Sequence, residues 1–411
     1  MKNIISDGVV LSRPLEGPLA AHIGSFARWA DEQGYRLHSI HRQVLTAARF
    51  SRWLGENAVK LRSLSFQHAE RYLRYRRRRV QIRRGDAAGL RHLVEFLRRE
   101  GVIPGEKVAP PLPTGFERCA KEYERYLREE RVLATATVLN YVPFVRCFLK
   151  DRFGDGTVKL SRLCAGDIIR FVQRQARRLR PKRAKLLTTA LRSFFQYARY
   201  RGEVTVDLAA AVPIVANWSM TSLPRAIEPD QVQQLLTSID RRTTSGRRDY
   251  AILLLLARLG LRSGEVAFLE LDDIDWNIGR LSVHGKNGRS ELPLSAEVGK
   301  AIATYLRRGR PVSACRRVFL RARAPICGFQ GASGISSLVR HSLKRAGINA
   351  PTCGAHQFRH GLATEMLRQG ASLREIGEVL GHHHPQTTSI YAKVDITALR
   401  TLALPWPGGA R

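Results

Sequence analysis

The residues of this chain best suited to chemistry lie in four short clusters between positions 260 and 391. Arginine is permanently charged and matches phosphate oxygens in pairs, histidine exchanges protons near neutral pH, and a tyrosine oxygen can attack phosphorus. A set of this kind could hold and attack a phosphate group.

The first two clusters predict how an arginine and a lysine are presented. In GLRSGEV (260–266), the first glycine ends a helix and Arg262 stands at the start of the next one. In GKNGR (285–289), Asn-Gly separates two short alternating runs, which predicts a β-hairpin with Lys286 at its tip. Taken alone, either residue could equally be an ordinary surface side chain. GKNGR is not a nucleotide-binding loop, because it lacks the earlier glycine and the hydroxyl residue after lysine.

The third cluster, HQFRH (356–360), predicts a helix face directed at a phosphate. His356 and Arg359 are three residues apart, so both can point at one phosphate from the same face. We expect His360 to be a structural residue packed behind them.

The fourth cluster, LGHHHPQTTSIY (380–391), contains three consecutive histidines and a tyrosine. Thr387 or Thr388 can cap the helix that carries Tyr391. Consecutive histidines suggest a metal site, but adjacent side chains point in different directions and no partners stand at ligand spacing. No metal and no cofactor are therefore expected.

The charge of the chain predicts a polyanionic partner. The 411 residues include 69 Lys and Arg against 35 Asp and Glu, a formal net charge of +34. Double-stranded DNA is the expected partner, and an anionic membrane surface is the alternative. The longest apolar run, 251–261, is short of the roughly 20 residues that span a bilayer. With no apparent signal peptide and no CxxC spacing among six cysteines, we expect a bacterial cytoplasmic, nucleoid-associated protein.

Two proline-rich linkers, at 104–113 and about 212–224, divide the chain into three expected domains, 1–108, 112–212 and 222–411. The first two domains are similar: residues 61–72 match 160–171, and residues 93–103 match 194–204. Each has apolar residues at helical spacing, which predicts a bundle of about four helices. Duplication and chance similarity between two helical bundles both stay open. The expected fold class is mainly α with a small antiparallel β-sheet: two helical-bundle DNA-binding domains followed by an α+β domain.

A run of basic residues precedes the last helix of each bundle. Carboxylates are nearly absent from both runs, so the basic residues have few ion-pair partners within the chain. This favours contact with phosphates over an ordinary solvent-exposed charged face. The candidate DNA-binding residues are Arg76, Arg77, Arg78 and Arg79 in the first bundle, and Arg177, Arg178, Arg180, Lys182, Arg183 and Lys185 in the second.

In their order along the chain, GLRSGEV, GKNGR, HQFRH and LGHHHPQTTSIY resemble the signature of the tyrosine recombinases, the phage integrase family. Each motif is weak alone, whereas four in this order are specific. The resemblance is strong over about 225–405, and 112–212 is similar to the core-binding, SAM-like helical domain of that family. Residues 1–108 depart from the family pattern, so their role stays open.

The resemblance implies a site-specific DNA recombinase with Tyr391 as its nucleophile. The tyrosine would hold a 3′-phosphate covalently, so strand exchange needs neither metal nor ATP. Arg262 and Arg359 match the two catalytic arginines and would neutralise the charge that builds on the phosphate. Loss of one such donor typically costs on the order of 3–4 kcal/mol of barrier.

The remaining matched positions imply proton transfer. Because tyrosine has a pKa near 10, its attack at neutral pH needs a base, for which His356 is the candidate. Lys286 matches the hairpin lysine and is the candidate acid for the leaving 5′-oxygen. His382 matches a position held by His or Trp in relatives and would hydrogen-bond the phosphate.

The resemblance also implies assembly on DNA. In the family, the C-terminal tail docks into a neighbouring protomer, which here predicts a synaptic tetramer joined through residues 395–411. Ile396, Leu399 and Leu402 would form the apolar face of that tail, with packing inside one chain as the alternative. The protein would be encoded by a mobile element, phage or plasmid; integration, excision, resolution and transposition all stay open as its biological outcome. Accessory directionality proteins are a further class of partner that the family allows.

Three rival functions remain at this point. A metal-dependent transposase or nuclease would need the acidic cluster Asp272, Asp273 and Asp275, which we expect on a solvent-facing loop. A type IB topoisomerase shares the same chemistry but would not need two helical DNA-binding bundles. A non-catalytic DNA-binding protein on the same scaffold would bind DNA without covalent capture.

Overall fold

A computed structural model of the chain describes residues 3–6, 9–11, 14–104, 114–215, 223–285, 288–350, 352–382, 384–395 and 399–400. The described residues are mostly helical, with a three-stranded antiparallel sheet and a separate two-stranded hairpin. The predicted fold class, mainly α with a small antiparallel sheet, is therefore confirmed. The chain divides into two compact units, one formed by Met1–Glu106 with Ser222–Arg411 and the other by Lys107–Thr221.

The first segment begins with a β-hairpin that the sequence did not predict, β1 (Asn3–Ser6) paired with β2 (Val9–Leu11). A helical bundle follows, as predicted. Its helices are α1 (Ala20–Glu32), α2 (Leu37–Glu56), α3 (Phe66–Arg77) and α4 (Arg84–Arg99), with a 3₁₀ turn at Leu61–Ser63 before α3.

The second segment repeats this order of elements. Its helices are α5 (Gly115–Glu129), α6 (Thr135–Phe153), α7 (Ala165–Ala176) and α8 (Pro181–Tyr200), with a 3₁₀ turn at Leu160–Arg162 before α7. In both bundles the second helix packs against the first and the last, and the third packs against the last.

Most of the matched apolar positions are buried in both bundles, although Leu61 is only partly buried where Leu160 is buried. Gly101 and Gly202, which align in the sequence, both follow the last helix with positive φ, 69° and 73°. The side chains that pack the last two helices are buried in each copy. They are Leu64, Ala69, Tyr72, Leu93, Val94 and Phe96 in the first bundle, and Leu163, Ile168, Phe171, Phe194, Phe195 and Tyr197 in the second. This agreement supports duplication over chance similarity.

The third segment carries the sheet and the remaining helices. They are α9 (Pro229–Thr237), α10 (Thr244–Arg258), α11 (Ser263–Phe268), β3 (Ile274–Asp275), β4 (Arg280–Gly285), β5 (Gly288–Pro293), α12 (Ala296–Arg308), α13 (Ala332–Arg345), α14 (His356–Arg368), α15 (Leu373–Val379) and α16 (Pro385–Thr388). A 3₁₀ turn at Leu271–Asp273 precedes β3, and a 3₁₀ helix spans Ser389–Val394.

The predicted hairpin forms between β4 and β5, with Leu281 opposite Leu292 and Gly285 opposite Gly288. Its tip, residues 286 and 287, lies outside the described residues. The sheet has one more strand than expected, because β3 pairs with β4 and places Asp275 opposite Arg280. Asp272 and Asp275 face solvent as expected, but Asp275 lies in a strand and not in a loop, and the side chain of Asp273 is only 12% exposed.

Two hydrophobic clusters hold the third segment together. The larger is built on α10, whose residues Ala251 to Leu256 are fully buried, and on α12, α13 and both long strands. The smaller contains Ala363, Ile376, Leu380 and Tyr391, and it fastens the Ser389–Val394 helix onto α14 and α15. The smaller cluster therefore determines where the tyrosine stands.

The first and third segments touch within their shared unit. The Ile326 amide donates a hydrogen bond to the Gln33 carbonyl at 2.9 Å. Gly34, with φ +78°, packs so closely that a Cβ there would lie 2.4 Å from Ile326 Cγ1. Each segment nevertheless has its own hydrophobic core. The division into three domains at 1–108, 112–212 and 222–411 stays a prediction, and most residues of the two linkers lie outside the described ranges.

Candidate active site

The N-terminal end of α11 presents Arg262. As predicted, a glycine ends the preceding helix: α10 stops at Arg258 and Gly260 takes a φ of +60°. Arg262 is then the N-cap of α11. This geometry brings the arginine beside Glu265, one turn into the helix.

Glu265 holds Arg262 in place. Its carboxylate accepts hydrogen bonds from the Arg262 amide at 2.8 Å and from the guanidinium Nη1 at 2.7 Å. The Glu265 side chain is only 7% exposed, whereas that of Arg262 is 31% exposed. The same carboxylate contacts the β4–β5 hairpin, since a Cβ on Gly285 would lie 2.7 Å from Oε1. Glu265 is therefore a positioning residue that the sequence reasoning missed, although it lies inside the GLRSGEV motif.

Arg359 lies on the first turn of α14 and is 7% exposed. Its guanidinium donates hydrogen bonds to the carbonyls of Gly260, at 2.8 Å, and Leu380. These two bonds tie together the helix end before Arg262 and the loop before His382. Burial, and then the nearby Arg262 charge, lower the pKa of Arg359 to about 10, so the group stays cationic at neutral pH. Two cations thus stand together, with the Glu265 carboxylate as their counter-charge.

His356 lies three residues before Arg359 on α14, as predicted. Burial, Arg359 and Arg262 all lower its pKa, in that order of size. The imidazole is therefore neutral at pH 7, and one of its nitrogens can accept a proton.

His382 stands beside the same two arginines. Burial, then Arg359 and Arg262, lower its pKa to about 4. Its Nδ1 lies 2.8 Å from the hydroxyl of Thr388, which is buried. The expectation that Thr388 caps the helix of Tyr391 is wrong: Thr388 is the N-cap residue of that 3₁₀ helix but makes no side-chain capping bond. Its hydroxyl orients His382 instead.

Tyr391 is 1% exposed and lies in the small hydrophobic cluster. Its hydroxyl is 3.0 Å from Nδ1 of His360. Burial raises the pKa of Tyr391, and the Arg359 charge partly offsets that rise. The sequence placed His360 behind the reacting groups, whereas in the structure it is the hydrogen-bonding partner of the tyrosine.

The candidate residues therefore converge from four parts of the third segment: the start of α11, the first two turns of α14, the loop at 380–382 and the 3₁₀ helix at 389–394. Arg262 and Arg359 line one cleft together with Arg289 of β5, whose guanidinium bonds the Ser282 hydroxyl at 2.9 Å. Lys286 lies outside the described residues.

The basic runs flank the last helix of each bundle. Arg77, Arg78 and Arg79 are exposed, but Arg76 forms an ion pair with the buried Asp86 at 3.3 Å and its side chain is only 13% exposed. Arg76 is therefore bound internally, contrary to the expectation of little pairing. All six basic residues of the second run are exposed: Arg177, Arg178, Arg180, Lys182, Arg183 and Lys185.

Two carboxylates of the acidic cluster at 272–275, which a metal-dependent nuclease would need, contact basic side chains. Asp272 pairs with Arg316, and Asp273 lies 3.2 Å from His284. Within the described ranges, no group of three or more His, Cys, Asp or Glu is arranged to hold a metal ion. A search of the same residues for helices long and apolar enough to cross a membrane finds none.

Two family models match the sequence. The model of the phage integrase family matches residues 225–397, and that of the phage integrase N-terminal SAM-like domain matches residues 120–202. These ranges cover the cluster around Tyr391 and the second helical bundle.

Named proteins are similar over long stretches. "Putative integrase/recombinase y4rA" of Sinorhizobium fredii (strain NBRC 101917 / NGR234) is 59% identical over 411 residues, which is 100% of each chain. "Tyrosine recombinase XerD" of Mycobacterium tuberculosis (strain ATCC 25618 / H37Rv) is 31% identical over 306 residues, 70% of this chain and 95% of that protein. Among solved structures, a lambda integrase tetramer bound to a Holliday junction matches with a TM-score of 0.53 and 16% identity, covering 76% of this chain and 88% of that one.

Proposed function

The chain belongs to the phage integrase family, the tyrosine-type site-specific recombinases, and we propose that it cleaves and rejoins DNA through a covalent 3′-phosphotyrosine at Tyr391. The observation that carries the proposal is the convergence of Tyr391, two guanidiniums and three imidazoles within one chain. Arg359 acts electrostatically on Tyr391, and Arg262 acts on Arg359. This coupling supports a single site for the nucleophile and the cations.

The two arginines stabilise the phosphorane-like transition state. A guanidinium has five N–H donors, and the bonds of Arg359 to two carbonyls leave others free to reach a phosphate. Arg262, held by Glu265 but partly exposed, faces the same cleft. Preorganised donors of this kind need no rearrangement as negative charge develops on the non-bridging oxygens. They take the place that metal ions hold in other phosphoryl-transfer enzymes.

The neutral imidazoles and a lysine complete the site. His382, oriented by Thr388, donates a hydrogen bond to the scissile phosphate. Lys286 at the hairpin tip protonates the leaving 5′-oxygen. His356, beside both arginines, is the base expected from the sequence. Energy of the broken bond is kept in the phosphotyrosine, so rejoining requires no nucleotide cofactor.

The helical bundles contact double-stranded DNA. In the second bundle, the core-binding domain at 112–212, the exposed residues from Arg177 to Lys185 contact phosphates. In the first bundle, at 1–108, exposed Arg77, Arg78 and Arg79 do the same from the matched position, while Arg76 braces the loop through Asp86. Such contacts position the protein on the duplex and carry no sequence information by themselves.

Strand exchange between two duplexes requires several active sites, which supports a tetramer on DNA joined through the C-terminal tail at 395–411. Within the tail, Leu399 is 43% exposed, so its side chain is accessible to a neighbouring protomer. Ile396 and Leu402 lie outside the described residues.

Deletion of residues 395–411 should abolish synapsis but leave binding of a single DNA site intact. Unchanged synapsis would contradict the docking of the tail onto a neighbouring protomer. The protein is proposed to be encoded by a mobile element. Accessory directionality proteins are its proposed further partners.

A nicked suicide substrate tests the enzymatic proposal. After cleavage the short downstream strand diffuses away, so the protein should remain covalently attached to DNA in denaturing electrophoresis. Tyr391→Phe should bind the same DNA with unchanged affinity and form no covalent product. If the intact protein binds its site and never traps DNA, the proposed chemistry is wrong and the protein is a DNA-binding protein only.

A further inference from the structure

We propose that His360, and not His356, holds the Tyr391 hydroxyl and accepts its proton as the phenolic oxygen attacks the phosphate. The inference rests on the recombinase chemistry proposed above. His360 lies outside the predicted catalytic set. The proposal assigns to it the deprotonation of Tyr391, the step that makes the nucleophile reactive.

The contact between the two side chains is direct. Nδ1 of His360 lies 3.0 Å from the Tyr391 hydroxyl. The rings meet edge to face, with centroids 5.7 Å apart and planes at 61°. A general base must stand within about 2.6–3.2 Å of the oxygen that it deprotonates, and this pair meets that condition in the DNA-free protein. Because Tyr391 is 1% exposed, bulk water does not compete for its hydroxyl.

His356 occupies a different place on the same helix face. It lies one turn before His360, about 6 Å along the axis at 1.5 Å per residue. Its charged neighbours are Arg359 and Arg262, the groups that receive the phosphate. Both imidazoles have Arg359 as a charged neighbour, but it is His360 that contacts the phenol.

The protonation states suit this assignment. Burial, followed by His356 and Arg359, lowers the pKa of His360, so the ring is neutral at pH 7. With its proton on Nε2, the ring presents a lone pair at Nδ1 to the phenol. Burial raises the pKa of Tyr391, so the hydroxyl keeps its proton until a base takes it.

The step balances without any further reactant. The phenolic oxygen forms a bond to phosphorus while its proton moves to Nδ1 of His360, which becomes an imidazolium. The bond from phosphorus to the 5′-oxygen breaks, and that oxygen leaves with a proton from Lys286. In rejoining, a 5′-hydroxyl attacks phosphorus and gives its proton to Lys286, the phosphorus–phenol bond breaks, and His360 returns its proton to the tyrosine.

Single-turnover cleavage of the suicide substrate by His360→Gln, His360→Ala and His356→Ala tests the assignment. Glutamine can hydrogen-bond the phenol but cannot take its proton. We expect both His360 variants to bind DNA with unchanged Kd and to cleave about 100-fold more slowly, within the usual contribution of a general base. Recovery of wild-type rate in His360→Gln would reduce the residue to a structural support and overturn the proposal.

A second substrate separates base from acid. With sulfur at the 5′-bridging position, the leaving thiolate departs without a proton, since thiols have a pKa near 8.5. Lys286→Ala should be rescued by this substrate, whereas both His360 variants should stay slow. If His356→Ala stays slow on it while His360→Ala cleaves normally, His356 is the base and the proposal fails.

The pH profile gives an independent readout. The groups that face His360 are His356 and Arg359 on its own helix, and His382 and Tyr391 from the segments packed against that helix. The rate of wild-type cleavage should rise with pH as His360 loses its proton and then reach a plateau. The midpoint of that rise should lie below 6.5, the usual pKa of histidine. His360→Gln should instead keep rising into the alkaline range as phenolate forms. An unchanged profile in His360→Gln would overturn the proposal. A wild-type protein that never traps DNA would instead defeat the recombinase function itself, so the two failures are distinguishable.

Discussion

At the residue scale, Glu265 allows two positive charges, Arg262 and Arg359, to lie close together before a phosphate binds. It neutralises part of the charge of Arg262 and Arg359 and fixes the first of them by two hydrogen bonds. Charge-assisted bonds are roughly twice as strong as neutral ones, so a neutral amide would hold Arg262 less firmly. We expect Glu265→Gln to cleave the suicide substrate about tenfold or more slowly, with the loss in kcat rather than in DNA affinity.

Glu297→Gln is the matched control for that variant. Glu297 also pairs with an arginine, Arg258 at 3.1 Å, but both side chains are nearly half exposed. Exposed pairs contribute little, about 0–1 kcal/mol, so this variant should cleave at the wild-type rate. Equal rates for the two variants would mean that Glu265 does not position the arginine.

The sequence predicted the types of the reacting residues better than their partners. The i, i+3 spacing of His356 and Arg359 was enough to place them on one helix turn, because helix geometry is local. The Tyr391 partner of His360 was not predicted, and the capping role of Thr388 was predicted wrongly, because both contacts depend on how the 389–394 helix packs against α14 and α15. That packing arises from Ala363, Ile376, Leu380 and Tyr391, which come from α14, from α15 and its C-cap, and from the 389–394 helix.

At the element scale, long periodic segments were predictable and short strands were not. The helices of both bundles and the β4–β5 hairpin follow from apolar periodicity and from an Asn-Gly turn. The β1–β2 hairpin and the two-residue strand β3 carry too few residues for a periodic signal. The contact of Gly34 with Ile326 could not be read from either segment alone, because it joins two surfaces that are far apart in the sequence.

That contact makes a prediction about the first bundle. Gly34→Ala would place a Cβ 2.4 Å from Ile326 Cγ1, in a backbone conformation with φ +78°. Gly101→Ala is the matched control, since Gly101 has φ +69° and nothing within 4 Å. Both changes carry the strain of positive φ, about 1 kcal/mol, but only the first should also loosen the contact between the segments. Limited proteolysis should therefore cut Gly34→Ala faster.

Ile326→Ala provides the second half of the test. In the Gly34→Ala background it removes the clashing side chain, so it should restore resistance to proteolysis and most of the thermal stability that Gly34→Ala removes. A double-mutant cycle measures this coupling directly. Additive effects of the two changes would mean that Gly34 and Ile326 do not pack together in solution.

At the scale of the whole molecule, the repeated bundles and the excess of 34 positive charges make the length of the DNA footprint the quantity to measure. Arg77, Arg78 and Arg79 are exposed at the position that, in the second bundle, carries Arg177, Arg178 and Arg180. Removing one arginine from a phosphate lowers the slope of log K against log salt by about 0.9. If the first bundle also holds DNA, replacing its three arginines by glutamine should lower the slope by up to about 2.7.

A charge-matched variant decides whether the effect is local. Arg28, Arg91 and Arg99 are also exposed on the first bundle but lie outside its basic run, so replacing them by glutamine removes the same charge. We expect that control to change the salt slope by less than about one, and the footprint to shorten only in the variant of Arg77, Arg78 and Arg79. Equal slopes in the two triple variants would indicate a general charge effect. An unshortened footprint with a wild-type slope would mean that the first bundle does not touch DNA, and that its packing against the third segment is its main contribution.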